Sequence, residues 1–338
     1  MERTRFCPSA AALAALRLRI TPEWAWLRPR LSAIFRGPRR PGPEPGGAGL
    51  LAKAILSCLA AAAILSAPVH AYAAPATAQR VMSLSQCGDQ LVLMLLGADR
   101  IASVSYLAER GAAFPTLAAK AHGLPVNHGL AEEILAQKPD LIVAGAFTSG
   151  VARRLAKQSG IPVIELAPAD TFQDIRDQMR TLGAALGESD RAEAWIARMD
   201  ATLIRLARTA PRRPIVAVGW NGAGRVSSGR SLFNSILSAA GGYNVAAGDG
   251  AFERSLDLEE LLALRPQPDV LLYEDAGRGE IGPRVDQAQH PALLRAYGRR
   301  RIAYPANAFT CGTPYAADAA VALRRGMLEA MTAARPRP

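Results

Sequence analysis

The chain has 338 residues, 50% hydrophobic and 20% charged, which is ordinary globular usage and excludes a disordered or fibrous protein. Its net charge of +11 would suggest an anionic partner, yet residues 1–73 hold ten Lys/Arg against Glu2, Glu23 and Glu44, leaving only +4 on the remainder. The basic excess lies in a segment expected to be removed, so no nucleic-acid partner is expected.

Residues 1–49, with runs such as Arg39-Arg40-Pro41-Gly42-Pro43, show no periodic apolar pattern and read as a disordered leader or a start placed too early. Residues 50–73 read as a secretory signal peptide: Lys53, an apolar run at 54–65, then Ala71-Tyr72-Ala73, with cleavage expected after Ala73. The apolar run is shorter than the ~20 residues that span a bilayer. Cys58 follows Ile55-Leu56-Ser57, but it stands five residues beyond Lys53 with almost no apolar stretch ahead of it, so a lipid anchor there is not expected. Cys87 and Cys311 survive cleavage, and two cysteines in an oxidising compartment are compatible with one disulfide.

From Arg80 onward, short β-branched runs alternate with helical patterns. Strands are predicted at 81–85, 101–105, 141–144 and 163–166, with helices at 89–96, 131–136 and 151–159 between them. That alternation specifies a parallel-type α/β sheet. A regular helix follows at 190–208, where Ala192, Trp195, Ile196, Met199, Leu203 and Leu206 recur at three- and four-residue spacing; Ser189 or Asp190 can cap it, and Pro211 and Pro214 close it. A second set begins after residue 213, with strands at 215–219, 270–273 and 301–304 and helices starting near Leu232, Leu258, Pro291 and Tyr315.

The two sets share a phrase. Glu133-Ile134-Leu135-Ala136-Gln137-Lys138-Pro139-Asp140-Leu141 in the first corresponds to Glu260-Leu261-Leu262-Ala263-Leu264-Arg265-Pro266 and then Pro268-Asp269-Val270 in the second. Each is a short helix stopped by a proline, followed by an aspartate and a buried strand. The expected fold class is therefore α/β: two three-layer lobes with mostly parallel sheets, at 78–187 and 213–335, joined by a long interdomain helix within 188–210. At about 20 residues that helix would reach roughly 30 Å. Its packed apolar stripe would hold the lobes nearly fixed, where a Gly/Ser linker would let them swing.

Five segments occur in an informative order: Arg80-Val81-Met82-Ser83-Leu84-Ser85-Gln86-Cys87-Gly88-Asp89, Gly97-Ala98-Asp99-Arg100-Ile101, Lys138-Pro139-Asp140-Leu141, Ser227-Ser228-Gly229-Arg230 and Cys311-Gly312-Thr313-Pro314. Over residues 80–335 the chain resembles the helical-backbone class of periplasmic binding proteins, which serve ABC importers of iron-siderophores, haem and cobalamin. The resemblance implies a non-catalytic, monomeric periplasmic receptor with an interlobe cleft, and an inner-membrane permease with its ATPase as partners. It implies no cofactor, the ligand being a metal chelate: a ferric siderophore, haem or cobalamin.

Carried over by position, Ser85, Gln86, Cys87 and Tyr106 would face the cleft from the first lobe. Trp220, Arg225, Arg230, Glu274 and Phe309 would face it from the second. Aromatic faces suit a large planar or macrocyclic ligand, and the two arginines tilt the expectation toward an anionic iron chelate. At this point Trp220 as a core plug, Arg225 and Arg230 as solvated loop charges, and Tyr106 and Phe309 as packing residues remain open alternatives. Cys87 and Cys311 fall on opposite lobes at the cleft, where a disulfide would staple the lobes together; two buried thiols are the alternative. For docking on the permease, Glu259, with Glu260 beside it, matches the family's acid on the second lobe. The first lobe offers no secure equivalent, since 150–154 stands where the acid is sought, and Glu132 and Glu133 are fallbacks.

Two other readings compete. A bare Zn or Mn receptor would need converging ligands, whereas His122 and His128 sit in a Gly/Pro-rich loop and His290 precedes Pro291. An α/β enzyme would need a catalytic signature. The glycine-rich loop at 221–229 fits neither the Walker pattern nor a full G-x-G-x-x-G, and neither G-x-S-x-G nor H-E-x-x-H occurs.

Overall fold

A computed structural model describes residues 77–109, 114–146, 148–220, 224–248, 254–275 and 290–333. The expected leader and signal peptide, with Cys58 and Ala73, lie outside the described residues, as do Asn221, Gly222 and Ala223 of the glycine-rich loop.

In the first lobe, β1 (Val81–Ser83), β2 (Ile101–Ser105), β3 (Val126–Asn127), β4 (Leu141–Gly145) and β5 (Val163–Leu166) form one sheet in the order β3-β2-β1-β4-β5. All neighbouring pairs are parallel. The helices are α1 (Gln86–Leu95), α2 (Pro115–Ala121), α3 (Ala131–Gln137), α4 (Gly150–Gln158) and α5 (Phe172–Leu186). Strand alternation divides them between two faces. Met82 and Ile142 share a buried cluster with Ile134, Ala152 and Ala156 of α3 and α4. Val81, Leu141 and Val143 turn the other way, into a cluster with Leu91, Leu117 and Met179 of α1, α2 and α5.

The predicted strand at 81–85 ends early. Ser85 takes the N-cap position of α1, its Oγ accepting the Gly88 N–H at 3.2 Å, so the helix begins at Gln86 and not at Asp89.

The connecting helix, α6 (Ser189–Arg208), is one arm of a pair. α5 runs into it through Gly187, whose φ of 70° lies in the left-handed region that stops a helix, and Gly183 of α5 lies where any Cβ would press on Ala192. Neither Ser189 nor Asp190 caps α6, because the N-cap is Glu188, without a side-chain cap bond. Its buried stripe is Ala192, Ile196, Met199, Thr202 and Leu206. The Trp195 Nε1–H donates to the Met94 carbonyl at 3.2 Å and Arg191 donates to the Leu95 carbonyl at 2.8 Å, both in the first lobe.

The second lobe contains β6 (Ile215–Gly219), β7 (Arg225–Val226), α7 (Leu232–Ala239), β8 (Gly242–Asn244), β9 (Arg254–Ser255), α8 (Leu258–Ala263), β10 (Val270–Asp275), α9 (Pro291–Tyr297), β11 (Arg301–Pro305), α10 (Ala306–Thr310) and α11 (Ala316–Ala333). Its main sheet, β11-β10-β6-β8, is parallel throughout, and β7 and β9 form a small antiparallel ribbon. Arg198 of α6 bridges to Asp318 of α11 at 2.8 Å, so the connecting helix is tied to both lobes. One buried cluster runs from Val81 through Ile196 and Met199 to Met327, which gives the lobes a shared core.

The repeated sequence phrase has a physical basis. Asp140, just before β4, accepts the Gln79 and Arg80 N–H groups at 2.7 and 2.9 Å, and Asp269, just before β10, accepts the Val216 N–H at 3.0 Å. In each lobe the aspartate pins the start of the lobe's first strand beside its neighbour. Among the described residues no helix is long and apolar enough to cross a membrane.

Candidate functional site

In a parallel sheet all strands deliver their following loops to one edge, and a crevice opens where the connections diverge. In the first lobe that point lies between β1 and β4, since β1 is flanked by β2 on one side and β4 on the other. There the structure holds a cavity of about 520 Å³. Its walls are the loops after all five strands: Ser85, Gln86 and Cys87 after β1, Tyr106 and Leu107 after β2, His128 and Gly129 after β3, Ala146, Thr148 and Ser149 after β4, and Ala167 to Ala169 after β5. Gly145 lets the β1 and β4 loops close on each other, because a Cβ there would stand 2.8 Å from the Ser85 Oγ.

Four of the expected residues thus meet in one place. Tyr106 is 54% exposed, and its ring stacks on that of His128 with centroids 5.4 Å apart and planes 16° from parallel. His128, expected to be a loop-surface residue, belongs to the lining. Its backbone N–H donates to Glu133 at 2.8 Å, and its Nδ1 lies 3.2 Å from the same carboxylate. Partial burial pushes the Glu133 pKa up, but the N–H groups of Leu130 and His128 pull it down harder, and the net direction is down.

Beneath the floor lies Asp89 of α1, fully buried. It accepts the Ser105 backbone N–H at 3.0 Å and the Ser105 hydroxyl at 2.5 Å. Burial raises its pKa to about 6, and the bonds from Ser105 only partly offset that rise.

The residues expected from the second lobe stand outside this lining. Trp220 is 2% exposed, its Nε1–H donates to the Leu256 carbonyl at 2.9 Å, and it packs in a buried cluster with Val218, Leu261 and Leu293, beside a separate hollow that it lines with Ser255, Leu258 and His290. Phe309 is buried among Phe233 and Tyr304, with centroids 5.7 and 4.7 Å away, which makes it a packing residue. Arg225 is an exposed residue of β7 opposite Ser255, and Arg230 lines a separate hollow with Tyr243 and Gly248. Glu274 is half-buried near the end of β10, opposite Tyr304 of β11, and is not part of the cavity lining. What the second lobe does contribute is Thr310 and Gly312.

Between those two residues stands Cys311, bonded to Cys87 with their Cα atoms 5.0 Å apart. Cys87 is half-buried on the cavity wall, and Cys311 is 2% exposed. Among the described residues no three His, Cys, Asp or Glu side chains gather as a metal site would require.

Comparison with known proteins agrees with this architecture. A cobalamin-binding protein of Halobacterium salinarum is 24% identical over 201 residues, covering 57% of this chain and 53% of that protein, so the chain spans about half the length of that relative. A vitamin B12-binding protein of Yersinia pestis is 28% identical over 57% of this chain and 69% of its own. Among solved structures, the periplasmic heme-binding protein RhuT from Roseiflexus sp. RS-1 superposes with a TM-score of 0.61 at 24% identity, over 75% of this chain and 99% of that one. The periplasmic vitamin B12-binding protein BtuF of Vibrio cholerae gives 0.54 at 22% identity, over 75% and 98%. At that identity the two structures establish a shared two-lobed α/β fold. The profile of the periplasmic binding proteins matches residues 81–294, well over half of the sequence, and the chain belongs to that family.

Proposed function

We propose that this chain is the solute-binding component of an ABC importer and that it holds a corrinoid in the cleft between its lobes. The lining of the cavity supports the reading. Gln86, Gln178 and Ser149 place amide and hydroxyl groups on the walls, Tyr106 and His128 supply a stacked aromatic ledge, and none of the described lining residues is Lys or Arg. A corrinoid presents peripheral amides around a broad apolar ring, which such walls match. An anionic ferric chelate, or the propionates of haem, would call for guanidinium groups. Arg225 and Arg230, on which the anionic expectation rested, stand away from this lining. One observation favours haem as a second reading: the exposed Tyr106 phenol beside His128 suits ferric iron.

Titration calorimetry of the purified protein with cyanocobalamin, dicyanocobinamide, haemin and ferric catecholate or hydroxamate chelates separates these readings. One-to-one binding of the corrinoids is expected. Binding of haemin alone would replace the corrinoid with haem, and saturable binding of a ferric siderophore with the corrinoids inert would overturn both.

The importer contact falls to Glu132 and Glu259. Each is exposed and second in its helix, α3 or α8. In each case the next glutamate is spent on the helix start: Glu133 accepts the Leu130 N–H at 2.9 Å, and Glu260 accepts the Asp257 N–H at 3.0 Å. Glu260 is thereby set aside, and Glu132 supplies the first-lobe acid. Its carboxylate and that of Glu259 are the ones available to arginines of a permease.

A further inference from the structure

We infer that the Cys87–Cys311 disulfide is a positioning element of the ligand site, holding the 310–312 segment of the second lobe as a fixed wall of the first-lobe cavity before any ligand arrives. The inference rests on the receptor reading above and adds to it a residue pair that sets affinity. Among the described residues, those that the second lobe lends to the cavity are Thr310 and Gly312, the immediate neighbours of Cys311. Cys87 is itself a wall residue, so the bond joins the two sources of the cavity at the cavity.

A second observation points the same way. A Cβ added at Gly312 would overlap the Ala169 methyl and come within 3.3 Å of the Ile175 Cγ1, and Ala169 is also part of the lining. The segment is thus pressed backbone-first onto the opposite wall, a placement open to glycine and closed to larger residues. Further along, the Tyr315 ring stacks 4.3 Å from Phe114 and its hydroxyl lies 3.2 Å from the Thr116 Oγ1. Those contacts anchor the segment beyond the cavity; at the cavity itself the covalent bond joins the glycine contact in holding it. A wall held in place beforehand need not be ordered when ligand binds, whereas a wall that wanders lowers the competent fraction and raises the apparent Kd in inverse proportion.

The test compares the wild type with Cys87→Ser/Cys311→Ser at 20 °C, with circular dichroism confirming that both are folded. Cyanocobalamin is titrated, and amide hydrogen exchange is recorded without ligand. The unstapled protein is expected to bind at least tenfold more weakly and to lose exchange protection at 310–313 and at Gly145, Ala146, Thr148 and Ser149. Asp318→Asn, which breaks the Arg198 bridge away from the cavity, is expected to leave the Kd unchanged. An unchanged Kd in the folded, unstapled protein overturns the inference, because a purely structural bond would alter stability and not affinity. If the wild type binds neither cyanocobalamin, dicyanocobinamide nor haemin, the ligand reading above fails, and the exchange data decide this inference alone: unchanged protection overturns it. Should the double variant not fold, folded wild type is reduced with dithiothreitol and read out in the same two ways. That dithiol gives two electrons and two protons, one proton to each cysteine sulfur as the S–S bond breaks, and leaves as its cyclic disulfide.

Discussion

Asp89→Asn should change how the stability of this protein depends on pH. The Asp89 carboxyl titrates near 6 in the fold against an ordinary 3.8, so the folded state binds its proton more tightly than the unfolded chain does. Below about 3.8 the group is protonated in both states and carries no penalty. As pH rises from there to about 6 the unfolded chain ionises first, and stability falls. Above 6 the loss is complete, and at ~1.4 kcal/mol per pH unit it amounts to about 3 kcal/mol. Asparagine has no such charge. Its Oδ1 can accept the Ser105 N–H that Asp89 now accepts at 3.0 Å, and its Nδ2 can donate to the Ser105 hydroxyl. Urea unfolding of both proteins at pH 4, 5, 6 and 7.5 should show the advantage of Asp89→Asn growing by a little over ~2 kcal/mol across that range, since part of the penalty is already present at pH 4, with most of the growth before pH 6.5. A gap that stays constant with pH would mean that Asp89 is not desolvated as its burial indicates, and would refute the reasoning.

Tyr106→Ala removes an exposed ring and should leave the melting temperature within about 2 °C while weakening corrinoid binding by roughly tenfold, measured by calorimetry. Trp220→Ala should do the reverse, costing ~3–5 kcal/mol of stability in urea unfolding by emptying a core site, with ligand affinity little changed wherever the variant is folded. Glu132→Arg/Glu259→Arg should abolish stimulation of uptake in vesicles bearing the importer and leave the Kd for ligand unchanged; retained uptake would move the docking surface elsewhere.

What the sequence disclosed about the site follows from which lobe each residue occupies. Ser85, Gln86, Cys87 and Tyr106 directly follow strands whose buried runs are unmistakable, and a loop after a parallel strand has one edge to go to. His128 follows β3, a strand of two residues, too short to leave a periodic signal, so its place in the lining was invisible. In the second lobe the resemblance points to Trp220, directly after β6, and to Phe309, just before Cys311, but an aromatic at such a position carries no mark of whether it turns outward or in. Trp220 turns in because a carbonyl 36 residues away, that of Leu256, takes its indole N–H. Such a partner is set by tertiary packing and has no local trace.

The same limit applies to α5, a helix absent from the sequence reading: Thr171 and Asp174 form a capping box at its start, but its role as the second arm of the connecting pair depends on the close approach of Gly183 to Ala192. It also gives the molecule an asymmetry that the two-lobed pattern does not announce. The first lobe builds nearly the whole described lining from its five loops, and the second reaches in with one short segment locked by a disulfide and a glycine contact. Chemical selectivity should therefore reside in the first-lobe side chains. Affinity for any ligand that fits should depend on how firmly the 310–312 segment is held, so substitutions in the two lobes ought to separate into changes of ligand preference and changes of binding strength.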